Sequence, residues 1–182
     1  MKRQTPLAHA ETGRIGLYTP AERQRRDQSR WTLVQGVLAP IQVLACLVSI
    51  VLIQRFLLSG QGETLAHASV IIKIGLLYTI MITGAIWERE VFGQYLFAPA
   101  FFWEDVVSMG VIVLHTAYLI AWWTGWLAAR ELFFLALLAY LVYGVNAAQF
   151  LLKLRAARLQ APAVETSNGH RVTGAEPHGS LS

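Results

Sequence analysis

LVQGVLAPIQVLACLVSIVLIQRFLL, residues 33–58, contains a single charged side chain, that of Arg55. An α-helix rises 1.5 Å per residue, so about 20 residues suffice to cross a hydrocarbon core of about 30 Å. Three further apolar stretches of similar length follow, at residues 66–87, 106–126 and 132–152. The sequence therefore predicts an all-α membrane protein with four transmembrane helices.

The composition agrees with a membrane protein. Of the 182 residues, 55% are hydrophobic and 14% are charged, and the mean hydropathy is +0.46. Soluble domains carry about 25% charged residues. Cys46 is the only cysteine, which excludes a disulfide within the chain and a cysteine metal site. The net charge of +4 does not indicate a nucleic-acid partner, because the basic residues flank the apolar stretches.

The distribution of basic residues predicts the orientation. Seven Lys and Arg residues precede the first stretch and four follow the last. The middle connection carries Arg89, whereas the two short connections have only Arg55, at a helix end, and Arg130. By the positive-inside rule, both termini and the middle connection are cytoplasmic, an N-in and C-in arrangement.

Three segments follow from this pattern: a basic cytoplasmic N-terminal segment (residues 1–30), a four-helix transmembrane domain (31–159) and a disordered cytoplasmic tail (160–182). Within the first segment, Thr19-Pro20-Ala21-Glu22 predicts the start of a short helix with a capping box. The arginines of this helix favour contact with anionic lipid headgroups.

The connection between the second and third apolar stretches is unusually aromatic. Residues 92–103, FGQYLFAPAFFW, include six aromatic side chains. Pro99 is expected to end or redirect the helix that precedes it. The segment therefore predicts an aromatic loop between helices 2 and 3 that is interfacial or re-entrant. It serves either as a belt that anchors helix ends or as one wall of a pocket for a large, flat, apolar ligand.

Polar side chains indicate where chemistry takes place. Glu88, Glu104 and Asp105 flank the aromatic connection, and carboxylates near a bilayer are costly unless they are paired or functional. With the predicted orientation, polar side chains of all four helices concentrate in the cytoplasmic half, where they suggest a cavity open to the cytoplasm: Gln35, Gln42, Asn146 and Gln149. The outer half offers only three, which are expected to extend outward: Arg55, His67 and Lys73.

His115 lies on the same predicted helix face as Glu104, near the middle of the membrane. It is either a histidine that donates to a neighbouring helix, or a metal ligand or proton carrier. Asp105 is rotated by about 100° from Glu104 around the helix, so the two face one cavity only from its edge. One of them is a candidate to pair with Arg89.

These residues resemble a known family. The runs WE at 87–88, VFGQYLFAPAFFWED at 91–105 and HTAY at 115–118 are similar to the 3-vinyl bacteriochlorophyllide hydratases (chlorophyllide a 3-vinyl hydratases) of bacteriochlorophyll biosynthesis. The resemblance extends over about residues 17–159.

The resemblance implies a hydro-lyase that adds water to the C3 vinyl group of a chlorophyllide and forms a 1-hydroxyethyl group. The substrate is a Mg-tetrapyrrole, so no separate cofactor is implied, since the Mg is carried by the substrate. The implied partners are membrane lipid and other enzymes of the pathway, with no nucleic acid. The implied location is the bacterial inner membrane, cytoplasmic or intracytoplasmic photosynthetic, with the active site toward the cytoplasm.

Hydration of a vinyl group needs an acid for carbon and a base for water. Our hypothesis is that Glu104 or Asp105 protonates the vinyl carbon, while the other, or Glu88, orients and deprotonates the water. His115 either is an axial ligand to the substrate Mg or relays protons.

The remaining candidates would bind the substrate. Arg89 is expected to meet the propionate. Four aromatic side chains would stack on the ring: Phe97, Phe101, Phe102 and Trp103. Three amides would bind its peripheral carbonyls: Gln94, Asn146 and Gln149. Trp87 and Tyr95 complete the predicted substrate-binding set.

Two other classes compete with the hydratase. A non-catalytic membrane tetrapyrrole-binding or pigment-assembly protein would use the same aromatic wall and His115, but not three carboxylates. A small transporter or electron-transfer subunit would show charged residues through the full depth, or paired histidines at matched depth, and the sequence has neither pattern.

Overall fold

A computed structural model describes the backbone of residues 17–172 and the side-chain environment of residues 17–156. Its five helices are α1 (Pro20–Gln28), α2 (Arg30–Ser59), α3 (Glu63–Phe92), α4 (Phe102–Thr124) and α5 (Ala129–Val172). The last four contain segments that are long and apolar enough to cross a membrane, which confirms the predicted number of membrane helices. The N-in and C-in orientation stays a prediction.

Helix α5 is longer than the apolar stretch that predicts it. Its membrane-compatible part is Ala129–Ala156, and the helical backbone continues to Val172. Residues 160–172, which the sequence assigned to a disordered tail, are therefore helical here. The rest of that predicted tail, residues 173–182, and the first part of the basic segment, residues 1–16, lie outside the described residues.

The capping box of α1 is confirmed. The Thr19 hydroxyl accepts from the Glu22 backbone N–H (3.3 Å), and the Glu22 carboxylate accepts from the Thr19 N–H (2.7 Å). Ser29 separates α1 from α2, and its hydroxyl donates to Glu90 of α3 (2.8 Å). This bond fixes the short basic helix against the end of the membrane bundle.

The long helices pack in two pairs, α2 on α3 and α4 on α5. Between the pairs lies an apolar core of fully buried side chains, which include Ile53, Val70 and Phe133. Only 22–28% of the residues in the apolar window of each membrane-compatible segment are buried within the chain, so many of its side chains face outward. Outward aliphatic side chains such as Leu44 (63% exposed) incur no hydration cost when the surroundings are lipid.

Hydrogen bonds join α3 to one turn of α4, residues 115–118. Three side-chain pairs make this α3–α4 seam: His67 with Tyr118 (2.6 Å), Lys73 with His115 (3.0 Å) and Tyr78 with Thr116 (2.8 Å). The expectation that polar groups concentrate in one half of the membrane is therefore wrong for this pair of helices. Such bonds hold membrane helices together where apolar burial cannot.

Gly93, and not Pro99, ends α3. Gly93 is in the left-handed conformation (φ 86°), and its N–H bonds to the Arg89 carbonyl (2.9 Å). Glycine adopts this conformation without the steric cost that a Cβ adds. Pro99 lies inside the connection of residues 93–101, six residues further along, so the expectation that it ends the helix is wrong.

The aromatic connection folds back on the helix ends. Phe101 is 1% exposed, and its ring lies 5.8 Å from that of Trp87 and 5.7 Å from that of Phe150. Tyr95 and Phe97 remain 53% and 39% exposed. The connection is thus partly buried in protein, and its interfacial or re-entrant position in a membrane stays a prediction.

We expect Gly93→Ala to destabilise the fold by about 1–2 kcal/mol, because a Cβ in the left-handed region clashes with the following carbonyl. The measurement is thermal unfolding in detergent. Gly110→Ala is the control, since Gly110 lies within α4 and an added Cβ would meet nothing within 4 Å there. Equal losses in the two variants would contradict the assignment of Gly93 as the helix terminator.

Candidate functional site

A cavity of about 880 Å³ lies at the end of the bundle where α1 and the aromatic connection meet the membrane helices. Sites for small molecules and cofactors span roughly 300–1,000 Å³ and are mostly apolar with a few polar groups. All five helices contribute to this cavity. Five of the predicted site residues line it: Trp87, Glu88, Phe101, Asp105 and Asn146.

Two of the predicted carboxyl groups meet at the wall of the cavity. Glu88 in the last turns of α3 and Asp105 in the first turn of α4 are 4% and 3% exposed. Their side chains lie close enough to interact, because they meet successive backbone N–H groups of the connection. Two buried carboxyl groups this close cannot readily both be ionised, so the pair favours a state that holds one proton.

The backbone of the connection binds the same two groups unequally. The Phe97 N–H donates to Asp105 Oδ2 at 2.7 Å, whereas the Ala98 N–H is 3.4 Å from Glu88 Oε2. Phe97 has a φ of 59°, the one positive value at a non-glycine among the described residues. That conformation costs roughly 1–2 kcal/mol and is typical of functional sites. It orients two successive N–H groups toward the carboxyl pair.

The third predicted carboxylate lies elsewhere. Glu104 is 7% exposed and accepts from Lys153 Nζ of α5 at 2.6 Å, and it does not line the cavity. The expected partner Arg89 is exposed, and its guanidinium lies 4.5 Å from the centre of the Tyr95 ring. The prediction that Arg89 pairs with Glu104 or Asp105 is therefore wrong in this structure.

His115 is engaged inside the α3–α4 seam. Its Nδ1 bonds to the Val111 carbonyl (2.7 Å), which can only accept, so Nδ1 carries the hydrogen. Its Nε2 then accepts from Lys73 Nζ (3.0 Å). Lys73 is 0% exposed, so the expectation that it extends outward is wrong. Both ring nitrogens of His115 are thus occupied. His115 also does not line the cavity where the carboxyl pair lies.

The predicted amides divide between the cavity and its surroundings. Asn146 donates to the Ser108 hydroxyl (2.7 Å) and lines the cavity. Gln94 donates to the Leu96 carbonyl within the connection (3.3 Å), and Gln149 does not line the cavity. Four of the predicted aromatic side chains are outside the cavity as well, with exposures between 39% and 69%: Tyr95, Phe97, Phe102 and Trp103.

Helix α1 forms part of the site, although none of the residues predicted for the site belongs to it. Tyr18, Arg23 and Arg26 line the cavity, and the Arg26 guanidinium lies 4.7 Å from the centre of the Tyr18 ring. Burial raises the pKa of the Tyr18 phenol, which keeps it protonated at neutral pH. The spacing of the two arginines, three residues apart in a helix, places them on one face. This spacing is visible in the sequence, but it fits contact with lipid headgroups as well as it fits a place in the site.

Comparison with known proteins covers nearly all of the described chain. Residues 18–156 match the family model described as 2-vinyl bacteriochlorophyllide hydratase. A protein of Rhodobacter capsulatus with that name is 60% identical over 156 residues, which are 86% of this chain and 91% of that protein. One of Cereibacter sphaeroides with the same name is 58% identical over 149 residues, 82% of this chain and 92% of that protein.

No solved structure matches the chain. The family match extends from the residue before the α1 cap to the end of the membrane-compatible part of α5, so it includes every cavity-lining residue except Leu17. The chain belongs to the 2-vinyl bacteriochlorophyllide hydratase family.

Proposed function

We propose that this protein adds water to the vinyl group of a bacteriochlorophyllide or chlorophyllide and forms a 1-hydroxyethyl group. The vinyl position numbered 2 in the relatives' names is taken as C3 of the macrocycle. The observation that carries the proposal is the Glu88–Asp105 pair at the wall of a ligand-sized cavity, in a chain about 60% identical to two hydratases.

The cavity suits a flat pigment with one acidic side chain. Its lining is mostly apolar, and Trp87 and Phe101 present aromatic surface to it. Arg23 and Arg26 of α1 line the same cavity, and Arg26 is paired there with Asp27 (2.6 Å). We assign Arg23, in place of Arg89, to the propionate of the substrate, because a guanidinium binds a carboxylate through paired, charge-assisted hydrogen bonds.

The chemistry begins with proton transfer to carbon. Protonation of the terminal CH2 of the vinyl group leaves a cation on the adjacent carbon, where the macrocycle delocalises it. Water then attacks that carbon and loses a proton to a base. The reaction needs an acid and a base that are close together and differ in protonation.

The unequal backbone bonds assign these roles. Asp105 accepts the short Phe97 bond, which favours its ionised form, so the proton of the pair resides on Glu88. Glu88 is therefore the acid for the vinyl carbon and Asp105 the base for water. After one turnover Glu88 is ionised and Asp105 is protonated. Proton transfer from Asp105 to the neighbouring Glu88 restores the starting state.

The net reaction consumes only water, so it requires no redox or nucleotide cofactor, and the Mg of the pigment is part of the substrate. Glu104, paired with Lys153, and His115, paired with Lys73, are assigned no reacting atom. Their contacts hold α4 against α5 and α3.

The protein is a membrane protein by its four apolar helices. We place it in the inner membrane of a photosynthetic bacterium, with the cavity on the cytoplasmic side. The arginines of α1 support that side, because basic residues accumulate on the cytoplasmic face. Lipid and the enzymes that supply and consume the pigment are its partners in this proposal.

The first test is direct. Membranes that contain the chain are supplied with chlorophyllide a and no added cofactor, and the pigment is followed by mass and absorption. We expect the mass of one water to be gained and the red band to shift to the blue as vinyl conjugation is lost. Pigment that binds and returns unchanged, with bacteriochlorophyllide as well, would favour the non-catalytic pigment-binding alternative.

The acid and base assignment is tested by Glu88→Gln and Asp105→Asn. Each is expected to lower turnover by about 10²–10⁴-fold while pigment binding is retained, since general acid–base catalysis contributes that much. Glu104→Gln is the matched comparison, one residue away in sequence and outside the cavity. Glu104→Gln should lower turnover by at most a few-fold. A full loss in Glu104→Gln, with activity kept in the other two, would return the acid role to Glu104.

Arg23→Gln is expected to raise the KM for the free acid roughly tenfold and to leave the KM for its methyl ester unchanged, because one charge-assisted contact is lost. Arg25→Gln is the control, since Arg25 belongs to the same helix, is exposed and does not line the cavity. Equal effects of Arg23→Gln on acid and ester would contradict a propionate contact.

A further inference from the structure

The far end of the cavity contains a tyrosine that the proposed chemistry does not use. Tyr143 of α5 lines the cavity one helical turn beyond Asn146, away from the aromatic connection. Val111 and Leu77 line the same region. Val111 follows Asp105 by six residues, which is about 9 Å along a helix that rises 1.5 Å per residue.

The hydroxyl of Tyr143 is free to bind a ligand. It makes no hydrogen bond within the described residues. The Tyr143 oxygen is not one of the fully buried oxygen atoms that lack a hydrogen-bond partner, so part of its surface is accessible. The hydroxyls of the nearby Tyr140 and Tyr118 differ, since they bond to Ser49 and His67. A phenol that lines an apolar cavity usually finds a partner for its O–H, so the ligand is the natural acceptor.

Lys73 lies over the ring face of this tyrosine and, in its protonated form, polarises it. Its Nζ lies 3.9 Å from the centre of the Tyr143 ring, and its bond to His115 keeps it there. Lys73 is fully buried and forms no ion pair with a carboxylate among the described residues. A cation over the face of a phenol withdraws electron density from the ring and makes its O–H a stronger donor.

We infer that Tyr143 donates a hydrogen bond to a ketone on the edge of the macrocycle opposite the vinyl group. This inference rests on the proposed function. A chlorophyllide carries such a ketone on its fifth, isocyclic ring, and a ketone only accepts hydrogen bonds. When the ketone is bound to Tyr143, the macrocycle lies over the apolar lining that separates Tyr143 from the carboxyl pair. The vinyl group then reaches Glu88 and Asp105. Tyr143 is thus a positioning residue, and it selects pigments that bear the ketone.

The test compares two pigments in two variants. The pigments are chlorophyllide a and the secondary alcohol obtained when its ring ketone is reduced with borohydride. We expect the ratio of kcat/KM for the ketone to kcat/KM for the alcohol to be roughly 3- to 10-fold higher in the unaltered protein than in Tyr143→Phe, about the value of one hydrogen bond. Tyr140→Phe, the same change one turn away, should keep the ratio of the unaltered protein, because Tyr140 bonds to Ser49 and does not line this cavity.

A second measurement does not need turnover. The ketone stretching frequency of bound chlorophyllide a, read by resonance Raman spectroscopy, should be lower in the unaltered protein and in Tyr140→Phe than in Tyr143→Phe. An identical frequency in all three would overturn the inference even if the protein hydrates the pigment. A shifted frequency in a protein that never hydrates it would uphold Tyr143 as a ketone contact and overturn the proposed function.

Discussion

The close approach of the Glu88 and Asp105 carboxyl groups connects the fold to the chemistry. α3 packs mainly on α2, and α4 mainly on α5, so the apolar core between the pairs and the polar α3–α4 seam together set their relative position. The carboxyl pair lies beyond that seam, at the aromatic connection. In lipid, where apolar side chains gain little by leaving their surroundings, polar contacts add to van der Waals packing in helix association. A contact that helps to align the helices is therefore also the one that holds an exchangeable proton.

The apolar stretches predicted the membrane helices well because a span is a matter of length and hydropathy, both of which a sequence shows directly. The end of α3 was harder. Gly93 and Pro99 both break helices, and only the backbone geometry shows that the left-handed turn at Gly93 comes first. The α1 capping box was predictable because it involves contacts three residues apart, whereas the docking of α1 through Ser29 and Glu90 is not local.

The candidate site was predictable in composition and not in arrangement. Glu104 and Asp105 are adjacent in sequence, and a helix places adjacent side chains about 100° apart. The two carboxyl groups therefore have different neighbours, and only one of them faces the cavity. Which one does so depends on Lys153, in a different helix and 49 residues distant from Glu104. Lys73 raises the same difficulty. A lysine in an apolar stretch either extends to the membrane surface or is buried against a partner, and its partner, His115, is 42 residues away.

The aromatic connection acts through its backbone more than through its rings. An aromatic wall predicted from side chains would place Phe97 in the cavity, yet that ring is partly exposed and its N–H is what reaches Asp105. The left-handed conformation of Phe97 is unfavourable for a side chain of this size, and the bonds of two successive N–H groups offset that cost. Because the two bonds differ in length, they distinguish two carboxyl groups that burial alone would treat alike. The division of acid from base thus originates in the turn of the main chain between α3 and α4.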